Sequence, residues 1–153
     1  MGLLLFLNEM QAAIIFNLIL PKKYFMFKKT KPSFTPFIVW LTISTVLLII
    51  PGSAFPQENW LGKIWFDKWV HIGMFAIMTF LACWAITPKK KWVDVRKLRQ
   101  SFLIMGLSCL CYGIIMEFVQ KYFVANRSFD TGDIIADAVG CTIGFLYSSR
   151  KFI

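Results

Sequence analysis

Long apolar runs bordered by compact polar islands organise this chain. The runs fall at about 35–54, 69–87, 102–120 and 134–149, and the islands are DKWVH at 67–71, EFVQ at 117–120 and RSFDTGDIIAD at 127–137. Runs of this length read as membrane-spanning helices, with the last near the lower limit of roughly 17 residues and therefore expected to tilt or to sit in thinned bilayer. Pro32, Pro36, Pro51, Pro56 and Pro88 stand at or near the run ends, where a missing N–H costs least. Residues 1–25 form a further unit, an N-terminal apolar helix and possible fifth span, although Asn8, Glu9, Gln11 and Asn17 interrupt it. Met26 followed by Phe27-Lys28-Lys29 would itself make an ordinary cytoplasmic start. The expected fold is all-α: a polytopic transmembrane bundle of four core spans over 26–153, preceded by that fifth helix.

Helical spacing gathers the polar residues at one depth. Residues three and four apart are neighbours on a helix surface. Asp67 and His71 therefore share a face, as do Gly113, Glu117 and Gln120. In the last run Asp133, Asp137, Gly140 and Gly144 form one stripe, acidic at its start and small at its end. Gly140-x-x-x-Gly144 permits close helix contact in lipid, and Asp133 is placed to cap the helix. Ionisable groups inside a membrane are costly, so a cluster at one level marks a site.

Composition agrees with a membrane domain: 58% of the 153 residues are apolar, 16% are charged, and the mean hydropathy is +0.63. A net charge of +9 would suggest nucleic acid in a soluble protein, but here the basic residues cluster between apolar runs, which topology explains without a polyanion. All but Lys63, Lys68, Lys121 and Arg127 of the 17 lysines and arginines lie in 22–31, 88–100 and the C-terminal tail. Those stretches are expected on the cytoplasmic side, which puts the C-terminus inside and the polar islands outside. Every acidic residue except Glu9 and Asp94 lies on that outer side. Such a mildly acidic site suits protons, a divalent ion, or a headgroup bearing both charge and hydroxyls.

Candidate chemistry is concentrated in few residues. His71 is a potential general acid or base, with Asp67 or Glu117 available to set its tautomer. Glu117 is either a proton acceptor or a partner for Arg127, whose planar guanidinium suits a phosphate or carboxylate. Gln120, Ser128, Lys68, Asp133 and Asp137 complete a set able to hydrogen-bond a ligand, and Asp130 reads as a turn residue. Trp60, Trp65, Trp69 and Tyr122 suit an interfacial aromatic belt. Cys83, Cys109, Cys111 and Cys141 lie within apolar runs, and a single histidine argues against a cysteine–histidine zinc site. No metal or cofactor is expected, and no P-loop, HExxH or nucleophile elbow is present in context.

Taken together, Asp67-Lys68-x-x-His71, Gly113-x-x-x-Glu117-x-x-Gln120, Arg127-Ser128-Phe129, Asp133 and Asp137-x-x-Gly140-x-x-x-Gly144 resemble, over roughly 36–148, the VanZ-like family of small bacterial membrane proteins. That family is named after a protein associated with resistance to the glycopeptide teicoplanin. The resemblance implies a cell-envelope role in the bacterial cytoplasmic membrane. One departure stands out: the family pattern usually has Asn where this chain has Asp137, which implies a more acidic pocket or a protonated carboxyl. Two functions follow as expectations. The first is binding of a membrane lipid or lipid-linked headgroup, or of a partner membrane protein, by Asp67, Lys68, His71, Glu117, Gln120, Arg127, Ser128, Asp133 and Asp137. The second is an intramembrane enzyme acting on a lipid headgroup or phosphate ester, with His71, Glu117 or Asp137 in acid–base roles and no established nucleophile signature.

Overall fold

The computed structural model describes residues 32–51, 65–88 and 94–153. The expected N-terminal helix at 1–25, the basic stretch 22–31, and Glu58, Trp60 and Lys63 lie outside the described residues, as do 89–93. Four helices and no strand are found among the described residues: α1 (Thr35–Ile49), α2 (Phe66–Ala85), α3 (Val95–Phe123) and α4 (Thr131–Phe152).

Local chemistry accounts for the boundaries. Pro36 stands at the start of α1, where its missing N–H would be unsatisfied in any case. Ile50 turns extended ahead of Pro51 and ends the helix. This stops α1 short of the expected 35–54, at 15 residues or roughly 22 Å. The carboxylate of Asp94 accepts from the N–H groups of Arg96 and Lys97, at 2.9 and 3.3 Å, and so starts α3. Val95 to Gln100 are therefore helical instead of loop, and α3 reaches 29 residues. Asn126, in the left-handed region at φ 58° where an Asx side chain is tolerated, lies in the turn from α3 into α4.

Among the described residues, α2 and α3 are the helices long and apolar enough to cross a membrane by themselves. The short α1 misses on length, and α4, with 22 residues, carries Asp133, Asp137, Arg150 and Lys151. Of the four core spans expected, two thus pass that test of length and composition among the described residues.

The core lies among the helices, and α2 packs most extensively on α4. A Cβ on Gly140 would stand 2.5 Å from the Ile72 carbonyl oxygen, and one on Gly144 would stand 2.6 Å from that of Ala76. The two backbones therefore meet along the small stripe, as the spacing predicts. Phe75, Met78, Ala82, Cys109, Met116 and Cys141 fill one apolar cluster, and Cys83, Leu98, Phe102 and Phe152 a second. Cys83, Cys109 and Cys141 are buried, Cys111 is exposed, and all four are free thiols. Outward faces are apolar too: Ile38, Leu103, Ile104, Ile115, Ile135 and Leu146 are among many large hydrophobic side chains left uncovered. Such an inverted distribution is what a lipid solvent permits. Polar contacts stitch α1 to its neighbours, with Trp40 Nε1 donating to the Met74 carbonyl at 3.0 Å and Thr45 Oγ1 2.8 Å from Tyr112 Oη.

Candidate functional site

The start of α2, the end of α3 and the start of α4 meet at one end of the bundle, and most of the predicted polar residues meet there with them. His71 lies in the second turn of α2 with its Nδ1 2.8 Å from Asp137 Oδ1 on α4. Its other nitrogen, Nε2, faces Asp133 Oδ2 at 4.0 Å, too far for a hydrogen bond. An ionised carboxylate only accepts, so with Asp137 ionised Nδ1 carries a proton, and in the neutral ring Nε2 then keeps its lone pair. The partner of His71 is thus Asp137, not Asp67 or Glu117. Phe75 stacks near His71 with ring centroids 6.3 Å apart and closes the site from below, fully buried. Gly113 on α3 leaves the room for Phe75 and for Asp137 Oδ2, both of which a Cβ would meet.

Lys68 forms the upper part of the layer. Its Nζ donates to Asp133 Oδ1 at 2.6 Å and to Asp130 Oδ2, and lies 3.0 Å from Asp67 Oδ2. Asp67 itself is largely exposed and points away from the deeper groups. The Lys68 ammonium bonded to Asp130 holds that half-exposed carboxyl below its ordinary value, against a smaller opposing effect of burial.

Two expectations about α4 are corrected. Asp130, read from sequence as a turn residue, is the N-cap: its Oδ1 accepts from the Gly132 N–H at 2.7 Å. Asp133 is one turn further on, within the helix, buried, and shared between Lys68 and His71. The signal was present in Asp130-x-Gly132, since a short acidic side chain two residues before a backbone N–H can close that bond.

Glu117, almost wholly buried on α3, accepts the Asp130 N–H at 3.1 Å through Oε2. It ties the end of α3 to the cap of α4. Gln120 is also buried, but its Nε2 donates to the Leu48 carbonyl at 2.9 Å. It therefore closes the end of α1 and does not line the site. Arg127 is half-buried in the connection between α3 and α4, and Ser128 is exposed beside it. The structure brings together Lys68, His71, Glu117, Asp133 and Asp137, adds Asp130, and leaves Asp67 and Ser128 at the rim. Ligand atoms of His71, Glu117 and Asp133 lie within 4.8 Å of one another, a convergence that no single helix reveals.

Chemically, the arrangement offers an imidazole oriented by one carboxylate, two further buried carboxylates, and an ammonium at the mouth. It can hold or move a proton, bind a cation, or receive a group with both charge and hydrogen-bonding atoms.

No solved structure matches the chain. An uncharacterized protein of the fission yeast Schizosaccharomyces pombe is 30% identical over 123 residues, which is 80% of this chain and 66% of the yeast protein. The chain thus spans just under two thirds of that relative. The VanZ/LLP1 family matches residues 3–151. That match takes in α1 to α3, α4 up to Lys151 and every residue of the polar layer, so the chain belongs to the VanZ/LLP1 family.

Proposed function

We propose that the protein is a multi-pass membrane protein whose polar end binds the headgroup of a membrane lipid or lipid-linked molecule. The observation carrying this reading is the buried set of His71, Glu117, Asp133 and Asp137 with the partly buried Lys68 above it, drawn from three helices at one level. Burying so many ionisable groups beside lipid is costly, and buried charges in membranes face a bundle interior or a ligand path. Arg127, half-buried in the connection between α3 and α4, supplies donors for a phosphate, and Lys68 at the mouth would add one by exchanging a carboxylate partner for it. The carboxylates supply acceptors for hydroxyls or an amine.

The proposed topology has all four helices crossing the cytoplasmic membrane of a bacterium, α1 and α4 sheltered against α2 and α3. Basic residues at the opposite end, including Arg96, Lys97, Arg99, Arg150 and Lys151, face the cytoplasm, and the polar layer opens outward. Headgroup capture there would change how glycopeptides of the teicoplanin type reach the surface.

The full chain, purified in mild detergent, should retain a lipid in about one-to-one ratio when incubated with extracted envelope lipids, as read by mass spectrometry. Arg127→Ala and Lys68→Met should each reduce retention severalfold. Equal retention by all three proteins would overturn the reading. Thiol labelling of Ser128→Cys from the outer side, in a background with the native cysteines replaced, checks orientation. Labelling from the cytoplasmic side alone would reverse it.

A second reading, lipid-headgroup hydrolysis or transfer, draws on one geometric observation: His71 is oriented by Asp137 in the manner of a general base. Time-dependent conversion of the added lipid, abolished by His71→Ala and by Glu117→Gln, would favour it over simple binding.

A further inference from the structure

We infer that His71, Glu117 and Asp133 form a binding site for one first-row divalent transition-metal ion, of the Zn2+ or Mn2+ kind. The three ligands come from three helices, and one ligand atom from each lies within 4.8 Å of the others. All three residues are more than nine-tenths buried. A compact set of this kind is rare unless the charges are paired or hold a metal.

His71 supplies the independent indication. Its Nδ1 is bonded to Asp137 on α4, and its Nε2 faces Asp133 Oδ2 at 4.0 Å, a separation that an ion between the two atoms could occupy with a small adjustment. Metal-ligating histidines characteristically give their second nitrogen to a carboxylate, which fixes the tautomer and raises the basicity of the ligating nitrogen. Asp137 stands in that position, and Nε2 faces Asp133 Oδ2; a metal ion in place of the Nε2 proton would be held by both atoms. The other oxygen of Asp133 is bonded to Lys68, which orients the carboxylate from outside. Glu117 is likewise oriented through its bond from the Asp130 N–H.

The spacing fits the size of the ion. Zinc takes imidazole nitrogen and carboxylate oxygen at about 2.0–2.2 Å. At a tetrahedral metal such ligand atoms stand about 3.3–3.6 Å apart, so the 4.0 Å between Nε2 and Oδ2 must close by roughly half an ångström, and separations of up to 4.8 Å within the set by roughly 1 Å, as the side chains turn in toward the ion. Three protein ligands leave a coordination position open toward the end of the bundle, the arrangement of a site that receives a water or an anionic oxygen. One imidazole and two carboxylates favour zinc or manganese over magnesium and calcium, which prefer oxygen alone.

Metal binding is separable from headgroup binding, because it is read without lipid. The tag-free full chain in detergent, stripped with chelator and desalted, is titrated with ZnCl2 and separately with CoCl2. About one tightly held ion per chain is expected, with visible Co2+ absorption bands and a Zn2+ X-ray absorption spectrum fitted by one imidazole and oxygen ligands. His71→Ala and Glu117→Gln should lose the ion, while Asp67→Asn should keep it. The wild-type spectrum decides the matter even if a variant misfolds. Less than about one fifth of an equivalent bound by the wild type, sulfur in the coordination shell, or loss in Asp67→Asn with retention in His71→Ala would each overturn the inference. Lipid retention in chelator-treated protein, measured in parallel, reports on the headgroup reading alone.

Discussion

Replacing Gly140 with alanine tests whether the polar layer depends on the close approach of α2 and α4. The added Cβ would stand 2.5 Å from the Ile72 carbonyl oxygen, 3.0 Å from Phe75 Cβ and 3.1 Å from the Ala76 nitrogen. Even short favourable carbon–oxygen contacts lie at about 3.3–3.6 Å, so the two backbones must separate locally by roughly 1 Å. Overpacking of this kind costs about 1–3 kcal/mol. Asp137 lies one turn from Gly140 on the same stripe, and its 2.8 Å bond to His71 would lengthen past the hydrogen-bonding range. A control is built into the facing helix: a Cβ on Gly73 would meet nothing within 4 Å. Gly73→Ala should therefore be neutral, or stabilising by up to about 1 kcal/mol through helix propensity. Reversible unfolding in mixed micelles, titrated with SDS and followed by circular dichroism, should separate the two variants by more than about 1 kcal/mol. A difference below about 0.5 kcal/mol, the ordinary range for a surface substitution, would mean that these helices do not touch along Gly140. The His71–Asp137 geometry would fall with it.

Lys68→Met strands the buried Asp133 carboxylate, and breaking one side of a buried pair costs about 3–5 kcal/mol; the same SDS titration should show it, with Lys68→Met/Asp133→Asn recovering part of the loss. Gln120→Leu removes the donor to the Leu48 carbonyl, one of the orphan carbonyls at the end of α1, and should cost about 1–2 kcal/mol while leaving lipid retention unchanged. The lowered Asp130 carboxyl stabilises the folded state fully above its ordinary value of 3.8, and that contribution is lost as pH falls through the lowered value, because the unfolded state takes up its proton first. Unfolding midpoints measured from pH 5 down to pH 2.5 should fall less steeply in Asp130→Asn.

Much of this architecture is written in short-range spacing. The interval of four between Gly140 and Gly144 is enough to expect backbone contact, and the interval of four between Asp133 and Asp137 is enough to put both carboxylates on that contacting face. Partner choice is not legible in the same way. Asp67 is one turn from His71 on its own helix, yet its carboxylate is turned to Lys68 and to solvent. Asp137 reaches the imidazole only because the glycine stripe below it draws α4 against α2. Gln120 shows the same limit, since its spacing from Glu117 says that both face inward but not that α1 ends beside one of them. Helix ends misled where charge was read as loop: Arg96, Lys97 and Arg99 lie on α3, because Asp94 caps it ahead of them.

The distribution of bonds within the layer bears on why it exists. A bundle that needed only stability would do about as well with apolar side chains in place of buried charges, since desolvation of an ion pair offsets most of its attraction. Nor is the layer arranged as simple one-to-one pairs. Asp133 is divided between Lys68 on one oxygen and the open face of His71 on the other, and Glu117 spends one oxygen on a backbone N–H. The upper tier of Lys68 and Asp130 is partly exposed, whereas the lower tier of His71, Glu117 and Asp137 is buried above Phe75. A headgroup meeting the upper tier and a cation held in the lower one would both bear on Asp133. Under the readings proposed here, that residue is where the two kinds of binding become coupled, and the direction of the coupling is set by charge. A cation beside Asp133 weakens its hold on Lys68, which frees the ammonium to engage a phosphate.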